Sequence, residues 1–139
     1  MSKTINLQFL LSYLGLFPFL IILLDKFLFK SLEYNIVNNF SFFYSIIIFV
    51  FIGAVNWDLK RNISLLVVLI GFMPSLASVL ILIMFLYSYQ VINYLIILFI
   101  IQLILDGFIY KEKNDRIVFY QLRIPLTCAI LFFLIFIQL

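Results

Sequence analysis

The stretch Gln102-Leu-Ile-Leu-Asp106-Gly-Phe-Ile-Tyr-Lys111-Glu-Lys-Asn-Asp-Arg116-Ile-Val-Phe-Tyr120-Gln-Leu-Arg123-Ile-Pro125-Leu-Thr127 decides how the chain is read. It is the only long polar interruption in the second half of a chain that is 67% hydrophobic and 11% charged. Six of the fifteen charged residues, nine basic and six acidic in all, lie between Lys111 and Arg123. Everything else reads as hydrocarbon-embedded helix, so the charged part of the stretch reads as a turn between two membrane helices.

Soluble chains average about 45–50% apolar and about 25% charged residues. A water-soluble fold of these 139 residues would therefore expose most of its apolar surface, and the bilayer has to be the solvent. Hydrocarbon offers no hydrogen bonds, which leaves helices or closed barrels as spanning structures. Barrel strands alternate lipid-facing and lumen-facing residues over roughly ten positions, whereas runs such as Ser45 to Val55 are apolar at both parities. The expected fold class is all-α, a polytopic membrane helix bundle forming one transmembrane domain over 1–139.

Five spans are predicted, at about 5–24, 40–57, 63–86, 91–108 and 117–139. At 1.5 Å per residue a span of twenty crosses ~30 Å of hydrocarbon. The first exceeds a signal-peptide core and is followed by Asp25-Lys26-Phe27-Leu28-Phe29-Lys30 rather than by small residues, so it reads as a retained helix, kinked where Pro18 follows Gly15. Leu28, Leu32 and Ile36 are four apart, which fits either a short interfacial helix or a plain loop. Trp57, beside Asp58, Lys60 and Arg61, is the expected interfacial anchor. Counted from Ile124 the last apolar run has only sixteen residues, so Arg123 should lie a turn inside the helix and snorkel outward.

Five spans put Lys3, Lys60, Arg61, Lys111, Lys113, Arg116 and Arg123 on one side and Lys26 and Lys30 on the other. By the positive-inside rule the N-terminus is inside and the C-terminus outside. This placement accounts for the net charge of +3 without a nucleic-acid partner.

Few residues can carry chemistry. The chain has no histidine, which removes histidine-based haem, zinc and proton-relay sites, and its one cysteine, Cys128, can form no internal disulfide. No nucleophile stands beside a base, so no enzyme activity, cofactor or metal is expected. The eighteen phenylalanines read as packing and lipid-facing surface. Asp58, Asp106 and Arg123 form the candidate polar cluster: either an ion pair, Asp106 with Arg123, that fixes how the last two spans pack, or an ion or substrate site. Gln102 and Asp106, four apart, share a helix face. Pro74 stands near mid-span in Gly71-Phe-Met-Pro74-Ser75-Leu-Ala77-Ser78. It fits either a broken helix lining a transport path or close packing across Gly71-x-x-x-Ser75. Asn56, Gln102, Gln121 and Thr127 are expected to hydrogen-bond between helices. Gly15-x-x-Pro18 and Gly71-x-x-Pro74 hint at an internal repeat, although Gly15 to Asp58 is 43 residues and Gly71 to Asp106 is 35.

Five segments carry a resemblance: Tyr13-Leu-Gly15-Leu-Phe-Pro18-Phe19, Gly53-Ala-Val-Asn56-Trp57, the Pro74-Ser75 break, Gln102-Leu-Ile-Leu-Asp106, and above all Tyr120-Gln-Leu-Arg123-Ile-Pro125-Leu-Thr127. In that order they resemble the family of domain of unknown function 3429, which includes the vertebrate transmembrane protein 69. The family motif in the second span usually reads Gly-x-x-His-Trp-Gly, and here Asn56 and Asp58 replace the histidine and the second glycine. The resemblance implies a small polytopic protein of a bacterial or mitochondrial inner membrane and brings no activity with it. The expectation is a non-catalytic structural, accessory or assembly component whose partners are the lipid bilayer and a larger membrane complex or a second copy. The alternative is a small ion or solute channel or transporter.

Overall fold

The computed structural model describes residues 3–57, 63–87, 90–112 and 116–139. Among them five helices are long and apolar enough to cross a membrane, at Phe9–Phe29, Tyr34–Ala54, Leu65–Leu86, Ile92–Lys111 and Arg116–Gln138, and there is no strand. The chain is an integral, polytopic, all-α membrane protein.

The first span is two helices, α1 (Lys3–Leu14) and α2 (Phe17–Leu24), closed by a π-helical turn, Asp25–Phe29. Pro18 does more than kink it. Gly15 and Leu16 form a turn between the two helices, in which the Gly15 N–H still reaches the Leu11 carbonyl at 3.2 Å, and Pro18 sits in the first turn of α2, where a missing N–H costs little. The Tyr44 hydroxyl donates to the Gly15 carbonyl at 2.6 Å, tying the break to the second span. At the other end Lys30 adopts a left-handed conformation (φ 50°) and the chain reverses. The Asp25 carboxylate accepts from the Leu32 N–H at 3.0 Å and from the N–H and hydroxyl of Ser31, which holds the reversal.

The second span, α3 (Tyr34–Ala54), starts six residues earlier than the sequence suggests. Lys30 to Glu33 is all that joins it to the first, Leu28 and Phe29 are exposed on the π turn, and no interfacial helix forms. The helix begins early because Tyr34, Ile36 and Val37 extend its apolar surface, and the asparagines Asn35, Asn38 and Asn39 that looked like loop sit at its outer turn.

Next come α4 (Leu65–Leu86), α5 (Ile92–Glu112), a short α6 (Arg116–Val118), a second π turn (Phe119–Arg123) and α7 (Ile124–Gln138). Ser64 caps α4 by accepting from the Val67 N–H. Pro125 stands in the first turn of α7 and breaks nothing. The α3 helix is the hub, touching α2, α4, α5 and α7. Its Phe42, Phe49 and Ile52 lie in a core with Phe19, Leu95, Phe99 and Ile130. Ring pairs knit this core, with Phe49 edge-on to Phe99 at 5.0 Å and Phe19 stacked on Phe133 at 5.6 Å.

The α3–α4 contact rests on the absence of side chains. A Cβ on Gly53 would sit 2.5 Å from the Gly71 carbonyl oxygen and 2.8 Å from the Pro74 ring. One on Gly71 would sit 2.5 Å from the Trp57 indole nitrogen. The buried stripe of α4 is Val67, Gly71, Pro74, Ser78 and Ile81, so Ser78 rather than Ser75 accompanies Gly71 into the interface. Ser78 donates to the Pro74 carbonyl at 2.7 Å within its own helix. Trp57 is half-exposed as an anchor should be, and it also lids the Gly71 notch, donating to the Val68 carbonyl at 3.2 Å.

Replacing Gly53 by Ala pushes a methyl into backbone that cannot turn aside, with an expected cost of about 1–3 kcal/mol. Gly107→Ala meets only the Phe119 ring tip, at 3.2 Å, and should cost less. Unfolding each variant in mixed micelles gives the comparison; equal stabilities would refute the close α3–α4 crossing.

Candidate functional site: a buried carboxylate and its donors

On α5 the residues Gln102, Asp106 and Tyr110 follow one another at intervals of four and so lie on one face, which turns inward. Asp106 is 1% exposed. A carboxylate in that position is tolerated only when donors surround it. The side-chain amides of Gln102 and Asn56 each donate to its Oδ1 at 2.9 Å. Asn56 is presented by the turn that ends α3, where its own N–H bonds the Gly53 carbonyl at 3.0 Å.

Arg123 comes from the last span. Its Nε lies 3.7 Å from Asp106 Oδ2, a contact of charges longer than a hydrogen bond. The same Nε donates to the Tyr110 hydroxyl at 3.3 Å, and Nη2 donates to the Ile52 carbonyl at 3.1 Å. The guanidinium also lies 5.7 Å from the centre of the Tyr110 ring, within cation–π range. Its inward aim follows from the π turn Phe119–Arg123: one extra residue in a helix rotates everything after it by about 100°. Arg123 is 4% exposed, so it does not snorkel outward as the sequence suggests. Gly107 allows the approach, since Phe119 packs on the space its missing side chain leaves.

The cluster therefore joins α3, α5 and the last span through Asn56, Gln102, Asp106, Tyr110 and Arg123. Asp58, the third candidate, lies outside the described residues. Gln121 is exposed and takes part through its carbonyl, which accepts from the Tyr13 hydroxyl. Thr127 is buried on α7. Gly15, Pro18, Gly71, Pro74, Ser75 and Pro125 take no part in the cluster; all but Ser75, which stays outside the buried stripe of α4, stand at helix breaks, turns or crossings. Tyr110 went unnoticed in the sequence, although its spacing from Gln102 and Asp106 marks the same face.

A cavity of about 250 Å³ touches Arg123 and is walled by Gly15, Tyr44, Ile48, Ile52 and Leu126. It opens between the first span and the bundle, and Pro74 is not part of its wall. Among the described residues no three Cys, Asp or Glu side chains gather as a metal would need.

Arg123→Leu removes a charge partner of the buried Asp106 carboxylate, with an expected loss of up to about 3–5 kcal/mol. Asp106→Asn keeps an oxygen for Asn56 and Gln102 and should cost less. Because the two charges share one network, a double Asp106→Leu, Arg123→Leu variant should be more stable than the two single losses added together. Denaturation in detergent measures these three and the single Asp106→Leu that completes the cycle, and additive losses would show that the charges do not interact.

No curated protein and no solved structure matches the chain. The family described as "Protein of unknown function (DUF3429)" matches residues 5–139. That match takes in every helix that spans and every member of the buried cluster, and the chain belongs to the DUF3429 family.

Proposed function

We propose that this membrane protein is a non-catalytic structural or accessory component of a larger membrane complex, placed in a bacterial or mitochondrial inner membrane with its N-terminus inside. The observation that carries this reading is that its intramembrane charges close on one another. Asp106 is held by Asn56, Gln102 and Arg123, and Arg123 in turn is bonded to Tyr110 and the Ile52 carbonyl. A cluster in which each charge is met by several partners holds helices together, which is what a packing role requires. Pro74 supports the same reading, because the place where a broken helix would line a path is filled by the packing of Gly53 against Gly71 and Pro74.

The surface offered to a partner is the first span. Leu7, Leu10, Leu11 and Leu14 on α1 are each more than half exposed, and the Gly15 break sets that helix apart from α2. The positive-inside count supplies the orientation. One observation favours the second reading, a small ion or solute channel or transporter: a cavity reaches the Arg123 side chain from between the helices.

Tagged protein drawn from its native membrane in mild detergent should retain a stoichiometric partner identified by mass spectrometry. Substitution of Leu10 and Leu14 by larger or polar residues should release it without unfolding the bundle. A chain that purifies alone, and whose reconstituted ion or solute flux disappears in Asp106→Asn at unchanged fold, would replace this reading with transport.

A further inference from the structure

The other end of the bundle holds a second cavity, of about 360 Å³, between the start of α3, the end of α4, the start of α5 and the end of α7. That is room for about a dozen waters. Five side-chain amides line it, those of Asn38, Asn39, Gln90, Asn93 and Gln138, and Tyr34, Phe42 and Phe85 form its aromatic wall. Among the described residues no charged side chain borders it. These five are gathered from three separate segments, the starts of α3 and α5 and the end of α7, in a chain with only thirteen Asn and Gln residues. Asn38 is half-buried, and its Oδ1 has no donor among the described residues.

We propose that this cavity binds an uncharged, polyhydroxylated ligand, a sugar ring. A carboxamide offers donors and an acceptor together, and a hydroxyl group does the same, so a set of amides matches a set of hydroxyls without a net charge on either side. A hard cation would call for carboxylates, and an anion for Arg, Lys or a row of backbone N–H groups. Of the three rings, Phe42 and Phe85 stack on each other at 4.7 Å, and the exposed ring of Tyr34 fits the other face of a pyranose, whose C–H bonds point towards the electron-rich face of a ring. Asn38 supplies a polar atom that still needs a partner, and a hydroxyl donating to it as the amide turns inward satisfies it. The ligand is either a free sugar or the headgroup of a neutral glycolipid, because the cavity stands at the membrane boundary beside the exposed ring of Tyr34.

Saturation-transfer NMR on the full chain in phosphatidylcholine nanodiscs tests this with methyl β-glucopyranoside and methyl β-galactopyranoside as probes. Transfer to at least one neutral glycoside is expected, with little to the charged methyl glucuronide. A double Asn38→Leu, Asn93→Leu variant should weaken binding about tenfold or more, while Ile104→Ala, at an exposed position outside the cavity wall, changes nothing. Melting curves confirm that both variants fold. Nanodiscs doped with a monogalactosyl lipid then distinguish the sources: loss of the signal assigns a lipid headgroup, and an unchanged signal assigns a free sugar. No transfer from any neutral glycoside, equal transfer from the glucuronide, or full transfer in the folded double variant overturns the proposal and leaves a water-filled cap.

Discussion

A carboxylate inside hydrocarbon must be met by donors, and the way Asp106 is met sets the arrangement of three of the five spans. Its partners come from the end of α3, from its own helix one turn earlier, and from the last span. Each lies at a different point of the chain, so the network holds only if those helices are in one register. The charges themselves touch at 3.7 Å, and the amides make the shorter bonds. Pairs of this kind add little net stability against a well-packed apolar core, but they penalise any arrangement that separates them.

The remaining contacts use shape. In lipid there is no hydrophobic force between helices, and close backbone approach takes its place. The α4 helix is joined to α3 through the Gly53–Gly71 notch, with the Pro74 ring and Trp57 around it. The hydroxyls of Ser41, Ser45 and Ser78 all turn back to carbonyls of their own helices. The middle of the bundle is thus held by rings and by the Tyr44 bond to the Gly15 carbonyl, and the glycine notch and the Asp106 network stand nearer one end.

The fold class was legible because nothing but a helix satisfies backbone groups over runs so apolar. The pairing of Asp106 with Arg123 was legible too, since two opposite charges near neighbouring span ends have few alternatives. The inward turn of Arg123 was not, because a π turn has no residue signature of its own and a sixteen-residue run after it suggested an outward reach. The early start of α3 was missed because three asparagines look like loop until they are seen at the outer turn. The twin Gly-x-x-Pro patterns show how context decides. Around Pro18 the chain leaves the helix at Gly15, whose carbonyl meets Tyr44, whereas at Pro74 a neighbouring glycine takes the ring and the helix runs on.

The order of the cluster along the chain bears on how the protein is made. Synthesis runs from the N-terminus, so Asp106 reaches the membrane before Arg123 has been translated. Gln102 and Asn56 are already present and can shield the carboxylate, but its counter-charge arrives with the last helix to be inserted. Until then the fourth span carries a buried charge that lacks its contact with Arg123, which favours its staying near the insertion machinery. Release into the lipid is thereby coupled to completion of the bundle, and a chain cut short after Glu112 would present the cell's quality control with a helix it can recognise as unfinished.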